Sequence, residues 1–212
     1  MKYVEQPTSS SLKPFLYSYR RCPYAMRARM ALFVSNILFD IYEISFKDKP
    51  SEMLKVSSKG TVPVLIFKNL ILDESIDIME WARSQNSFDN FLQIDDEELE
   101  GVKEIIRIND GRFKDKLDRY KYHSGNSDTQ KKSNFNDCLF FIEILEQRLK
   151  KKIFLFSDKP GYADIAIFPF IRQFANVDLD LFEDTHYSNV IKWLNTLVNC
   201  NLFKDIMIKP NF

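Results

Sequence analysis

Apolar and polar positions follow two regimes along the chain. From Phe15 to about residue 85, short apolar runs are separated by polar breaks: Phe15–Tyr19, Leu38–Phe46, Val62–Phe67 and Leu70–Leu72. Runs of that length, rich in aromatic and β-branched residues, predict buried strands. Between the first two lies a helix-forming stretch from Pro23 to about Asn36, and the polar segment Lys47–Ser58 predicts a short helix after Pro50. Pro23 suits the first position of a helix, where its missing N–H costs nothing. Lys68-Asn69 reads as a tight hairpin turn, and Asp73 as the cap of a helix reaching about Arg83. The order strand, helix, strand, helix, strand, strand, helix predicts a parallel pair joined by a right-handed crossover, with an antiparallel edge added by the hairpin.

After Ser84-Gln85-Asn86-Ser87 nearly every segment has a helical period: Glu97–Asp110, Asn134–Lys150, Ala163–Val177 and Asn189–Asn199. The pattern therefore predicts a loose tail over 1–14, which holds three consecutive serines and two prolines, an α/β domain over 15–85, a linker over 86–94, and an all-helical domain over 95–212.

Composition narrows the chemistry. With 45% hydrophobic and 28% charged residues in 212, the chain is an ordinary soluble globular protein. Thirty basic side chains balance thirty acidic ones, which argues against a general nucleic-acid or anionic-membrane binder. The five glycines are too scattered for a phosphate-cradling loop, and the two histidines, His123 and His186, offer little to a zinc site or a histidine base. The longest apolar run, Ile165–Ile171, is far too short to span a bilayer, and the start of the chain is polar. Three widely spaced cysteines make no CxxC pair and no disulfide framework. The expectation is a reduced, cytoplasmic protein that uses no metal.

Cys22 carries the chemistry. It follows a strand and precedes Pro23, so it is placed as the N-cap of the first helix, next to free backbone N–H groups and the positive end of the helix dipole. Arg20, Arg21, Arg27 and Arg29 share the stretch. Such settings lower a cysteine pKa from ~8.5 to roughly 3.5–7.5, whereas Cys138 and Cys200 lie in helical patterns among Leu and Phe and read as core. Cys22-Pro23-Tyr24-Ala25 has the spacing of a dithiol redox motif with alanine in place of the second cysteine, which points to monothiol chemistry resolved by an external thiol. Two further pieces are open on their own. Pro63, within Thr61-Val62-Pro63-Val64, is either a plain strand-starting proline or a cis proline that exposes the Val62 backbone to an extended peptide. Asp73-Glu74-Ser75 is either an ordinary helix cap or a site where Ser75 and the local N–H groups take a carboxylate and Glu74 an ammonium.

Together these pieces resemble the cytosolic glutathione S-transferases, most closely the cysteine-dependent, omega-like and related bacterial members. The likeness rests on RRCPYAMRARMAL at Cys22, FKDKP at Lys49, KGTVPVL at Pro63 and DESIDIMEWA at Glu74 and Ser75, in that order and spacing. DRYKY at 118–122 and GYADIAIFPFIRQFANVD from Gly161 extend it over nearly the whole chain. The resemblance implies a thioredoxin-like α/β N-terminal domain, an all-α C-terminal domain, glutathione as co-substrate, and a homodimer to which helix 97–110 contributes. By position it implies Cys22 as the catalytic cysteine, Val62 pairing its backbone with the tripeptide ahead of cis Pro63, Glu74 and Ser75 holding the γ-glutamyl group, and Lys49 near the glycyl carboxylate. Asp164 matches the family's folding-motif aspartate, with Gly161 where Ser or Thr usually stands. Arg20 and Arg21 are expected to help gather the anionic tripeptide, and Arg27 and Arg29 to be solvated surface charges. Tyr24, Phe113, Tyr120 and Tyr122 are candidates to line a second-substrate cleft.

The implied activity is thiol transfer or reduction through a Cys22–glutathione mixed disulfide. Two alternatives accompany it: conjugation of glutathione to an electrophile, activated by a hydroxyl of Tyr17, Ser18 or Tyr19, and a non-enzymatic binding module built on the same fold. The intact set Cys22, Pro63, Glu74 and Ser75 argues against the module.

Overall fold

The computed structural model describes residues 1–5, 12–85, 94–122 and 127–209. The chain divides into two compact units, Met1–Gln93 with Asn201–Phe212, and Ile94–Cys200. Apart from Ile94 the expected linker 86–94 lies outside the described residues, as do residues 6–11 of the expected tail, and His123.

The first unit is built on a five-stranded sheet of order β1-β3-β2-β4-β5. Its strands are β1 (Lys2–Tyr3), β2 (Phe15–Ser18), β3 (Asp40–Glu43), β4 (Val64–Phe67) and β5 (Leu70–Leu72). β2 runs parallel to β3 and antiparallel to β4, with Leu16 opposite both Ile41 and Leu65, and β4 turns back into β5 through Lys68, whose φ is 55°. The four strands and the hairpin read from the sequence are all present. β1 corrects the expected loose tail: Lys2 and Tyr3 pair in parallel with Asp40 and Ile41. Two residues carry too little apolar signal to announce a strand, and β3 supplies the edge that orders them.

Helix α1 (Pro23–Val34) buries residues all around its circumference, with α3 (Ser75–Gln85) and α10 (Asn201–Ile206) both packed on it. α2 (Ser51–Val56) follows Pro50 as expected. α10 corrects the second boundary, because the end of the chain belongs with the sheet unit and not with the helical one.

The second unit comprises α4 (Leu99–Ile108), a π-helical turn (Asn109–Phe113), α5 (Lys114–Lys121), α6 (Asp128–Leu149), α7 (Tyr162–Ala175), α8 (Leu179–Glu183) and α9 (Ser188–Asn199). α6 starts earlier than its apolar period suggests. Ser127 caps it by accepting from the Gln130 N–H, and its first turns are solvent-facing and polar. Aromatic rings fill the centre: Phe113 lies 4.8 Å from Phe141, and Phe135 stacks on Phe174 at 5.1 Å.

Two buried carboxylates tie these helices together. Asp164 at the start of α7 accepts hydrogen bonds from the Gly161 N–H (2.9 Å), the Leu155 N–H (3.1 Å) and Trp193 Nε1–H (2.7 Å). Glycine has no side chain to return the cap, so the carboxylate alone closes this helix start. Glu146 of α6 accepts from the Asn189 and Val190 N–H groups at 3.1 and 3.0 Å and so caps α9 from another element. Truncating it in Glu146→Ala is expected to cost about 2–4 kcal/mol, because buried donors at the α9 start lose their acceptor. Urea unfolding followed by circular dichroism checks this, and a loss below ~1 kcal/mol would show that water replaces the cap.

Candidate functional site

The end of β2 and the start of α1 set the position of Cys22. Phe15, Leu16, Tyr17 and Ser18 are all buried, which anchors the strand, and the chain turns through Tyr19–Arg21 with the Cys22 N–H donating to the Tyr19 carbonyl. Pro23 then starts α1, and Cys22 is its N-cap residue with φ −76° and ψ 124°, as the sequence predicts. The sulfur makes no hydrogen bond to the first-turn amides, so the helix end acts on it through its dipole. Across from it, Cys22 Sγ donates to the Val62 carbonyl at 3.7 Å. That bond needs the thiol proton, whereas the helix end serves the thiolate.

Val62 stands beyond the β2–β4 ladder, whose last pair is Tyr17 with Val64, and the Val62–Pro63 bond is cis. The cis bond agrees with the second reading of Pro63; the Val62 residue itself is buried. Lys49 is partly buried in the loop before α2, its Nζ 6.0 Å from the Phe46 ring centre. Gly60 turns the chain nearby at φ 59°, a left-handed conformation that favours glycine, and a Cβ there would stand in ordinary contact with Lys49 Nζ at 3.4 Å.

Around α3 the structure adds partners that local sequence did not indicate. Ser75 is the first residue of the helix and is buried, and its hydroxyl accepts from Arg27 Nε–H at 3.0 Å. Glu74 is exposed, and Lys59 Nζ bridges it (2.6 Å) to Asp73 (2.9 Å). The expected cap by Asp73 is not made: among the described residues its carboxylate bonds Lys59 and Ser57 and no first-turn N–H of α3. Its second oxygen accepts from Ser57 Oγ–H at 2.8 Å, and these bonds, Lys59 first, hold its carboxyl below the usual range.

The arginines divide differently from expectation. Arg21 is exposed and donates to the Tyr19 hydroxyl, while Arg27 and Arg29 are among the most deeply buried large side chains of the protein. Their expected role as solvated charges is wrong, because α1 has no solvent face: α3 and α10 cover it. Arg29 Nη2 donates to the Arg20 carbonyl at 2.6 Å, two residues before Cys22, and touches Met207 Sδ at 3.9 Å just past α10. Burial pulls its guanidinium below the ordinary value, and Tyr3, Glu43 and Cys22 oppose that pull. Glu43, which accepts from the Arg20 N–H at 2.6 Å, is itself pushed up by burial.

The four aromatic candidates separate. Tyr24 is half-buried, with the Arg27 guanidinium 5.1 Å from its ring centre. Phe113 and Tyr120 do not line a cleft: both are buried in the helical core against Phe174. Tyr122 is exposed beside Lys121. The hydroxyl alternatives also fare unequally. Tyr17 is buried and its phenol is pushed up to about 12, and Ser18 is fully buried with no hydrogen-bond partner for Oγ among the described residues.

Among the described residues no three His, Cys, Asp or Glu side chains gather as a metal site, and no helix is long and apolar enough to cross a membrane.

A thioredoxin-like sheet unit, with a cysteine at its first helix start and a cis proline opposite, precedes an all-helical unit. Known families agree with this architecture: the glutathione S-transferase N-terminal domain matches residues 16–88 and the glutathione S-transferase C-terminal domain matches residues 141–196. The chain belongs to the cytosolic glutathione S-transferase superfamily. It is 26% identical over 178 residues to pyrimidodiazepine synthase of Drosophila melanogaster, covering 81% of this chain and 69% of that protein. It is 24% identical over 183 residues to glutathione S-transferase U28 of Arabidopsis thaliana, covering 84% and 81%. A glutathione transferase family member from Pseudomonas fluorescens Pf-5, solved with two glutathione molecules bound, superposes with a TM-score of 0.83 at 16% identity over 96% of both chains.

Proposed function

We propose that this protein is a glutathione-dependent thiol transferase or reductase acting through Cys22. The Cys22 thiolate attacks the glutathione sulfur of a mixed disulfide, the substrate thiolate leaves and takes up a proton, and Cys22 carries glutathione. A second glutathione thiolate attacks that same sulfur, releasing glutathione disulfide and restoring the Cys22 thiolate. The substrate leaves as a thiol, and its glutathionyl group departs joined to one free glutathione as glutathione disulfide.

The observation that carries this reading is the position of Cys22 at the α1 N-cap, 3.7 Å from the carbonyl of Val62 outside the strand ladder. A tripeptide pairing with the Val62 backbone would bring its own sulfur beside Cys22. Glu74 and Ser75 at the start of α3 are the candidates for its γ-glutamyl end, and Lys49 for its glycyl carboxylate. Lys59 must release Glu74 before an ammonium takes its place. The bound glutathione of the Pseudomonas relative supports the ligand class. Burial of Tyr17 and Ser18 counts against two of the three hydroxyls of the conjugation alternative and leaves Tyr19, half-buried with its hydroxyl accepting from Arg21, as the one to test against Cys22.

Treatment with glutathione disulfide followed by intact mass spectrometry and peptide mapping tests the proposal. One glutathione adduct is expected, on Cys22. Cys138 is fully buried and its thiol is pushed up to about 12 by burial, so it stays unmodified. An adduct on Cys138 or Cys200 in its place, or none at all, would overturn the assignment.

A further inference from the structure

The turn that leads to Cys22 is held from both sides by charged side chains. The last pair of the β2–β3 ladder is Ser18 with Glu43, so Tyr19, Arg20 and Arg21 lie beyond the sheet. Glu43 Oε1, at the end of β3, accepts from the Arg20 N–H at 2.6 Å, and Arg29 Nη2, about two turns into α1, donates to the Arg20 carbonyl at 2.6 Å. Both backbone groups of one residue are thus gripped by side chains of opposite charge, and such charge-assisted bonds are the strong ones. Arg29 is 0% exposed, and a charge so buried is costly unless it is well paired. Bonding Arg29 to Glu43 directly would be the cheaper arrangement. Instead, among the described residues, Arg29 Nε and Nη1, Glu43 Oε2 and the Tyr3 hydroxyl are buried without a hydrogen-bond partner. The cluster leaves these atoms unsatisfied while spending its two best bonds on the Arg20 backbone, and buried groups left short in this way call for a reason beyond stability. Its charged and titratable members come from several elements: Tyr3 on β1, Glu43 on β3, and Arg20, Arg21 and Cys22 at the turn, with Met207 Sδ past α10 as a neutral contact at 3.9 Å. Cys22, two residues after Arg20, is among the groups whose charge acts on Arg29.

We infer that Arg29 and Glu43 are positioning residues: by gripping the carbonyl and the N–H of Arg20 they fix the turn that delivers Cys22 to the start of α1, with the Arg29 cation favouring the thiolate and the Glu43 anion tempering it. The inference rests on the reading of Cys22 as the nucleophile and gives a role in it to two residues that work through the backbone and through their charge.

The test is the pH profile of Cys22 alkylation by iodoacetamide, followed by peptide mapping so that Cys22 is read apart from Cys200. In Arg29→Met the profile is expected to move to higher pH, with alkylation at about pH 6 slower by roughly tenfold, because the thiolate loses a nearby cation. Arg29→Lys keeps the charge and recovers part of that rate. Glu43→Gln keeps an oxygen for the Arg20 N–H but removes the anion, so its profile moves the opposite way and alkylation at about pH 6 quickens by about threefold. This near-isosteric variant decides the matter even if Arg29→Met fails to fold. Opposite shifts are the signature of the charges acting on the sulfur. Profiles that stay in place, or that move in the same direction in Arg29→Met and Glu43→Gln, overturn the inference. Alkylation needs no glutathione, so that outcome is distinct from failure of the thiol-transfer reading, which shows as no glutathione adduct on Cys22 of the wild-type protein.

Discussion

Replacing Cys22 with serine is expected to lower glutathione-dependent thiol transfer by at least about 10³-fold, while glutathione still binds with little change in affinity. The first half follows from the chemistry: a serine hydroxyl cannot form the mixed disulfide, and removal of a sole nucleophile costs orders of magnitude in rate. The second half follows from the geometry. The candidate binding groups sit on other elements, Val62 ahead of β4, Glu74 and Ser75 at the start of α3, and Lys49 before α2; only Val62 touches the sulfur, through its carbonyl, and a serine hydroxyl can donate to that same carbonyl. Serine is also a good N-cap, so α1 keeps its start. Rate and affinity must therefore come apart. Transfer that survives in Cys22→Ser would remove the cysteine from the mechanism, and a gain in arylation of a nitro-aryl halide would direct attention to a hydroxyl. A loss of rate and binding together would instead mean that Cys22 shapes the pocket.

The second large effect is expected far from that chemistry. Asp164→Asn is expected to destabilise the helical unit by about 3–5 kcal/mol at mildly acidic pH. The carboxyl receives three N–H donors while nearly all of its surface is buried, and an amide can satisfy only those facing its oxygen. With Oδ1 kept toward Leu155 and Trp193, the new NH₂ faces the Gly161 N–H, donor against donor. The pH dependence has a definite sign. Burial raises the Asp164 carboxyl to about 6 from an ordinary 3.8, so the folded state holds the proton more tightly than the unfolded state does. The stability it contributes is full below about pH 4 and declines as the pH rises through about 6, by up to ~3 kcal/mol. The cost of Asp164→Asn is therefore largest on the acid side and shrinks toward neutrality. Urea unfolding between about pH 4.5 and about pH 8, followed by tryptophan fluorescence in a Trp81→Phe background so that Trp193 alone reports, measures it. A cost that grows with pH would show that the fold prefers the ionised carboxylate.

How much of the site was legible depended on how local each signal is. Cys22 before Pro23 is an adjacent pair whose meaning, strand end and helix start, needs only neighbouring residues. The same is true of the Lys68-Asn69 turn. Both were readable because backbone preference and burial pattern agree over a few positions. Val62-Pro63 and Glu74-Ser75 each left two readings open locally, and only their order and spacing with Cys22 singled one out. Arg27 and Arg29 show where that reasoning stops. A charge on a helix reads as solvated unless something covers the face it occupies, and the coverings here are α3, about fifty residues later, and α10 at the far end of the chain. Phe113 and Tyr120 failed in the opposite direction: an aromatic on a helix fits a core as well as a cleft, and only the positions of Phe141 and Phe174 decide between them. Lys59 gave no local sign of its bridge to Asp73 and Glu74.

By itself the sequence determined the two-part architecture, the strand and helix order of the first unit, and the cysteine that stands at its helix start. Tertiary structure decided what surrounds that cysteine and the γ-glutamyl candidates: which arginines are buried, which hydroxyl Arg27 bonds, which carboxylates a lysine bridges, and to which unit the end of the chain belongs. The physical reason is range. Backbone propensity and hydrophobic period act over a turn or a strand, whereas burial and hydrogen-bond partnership are settled by residues that the fold brings together from far along the chain.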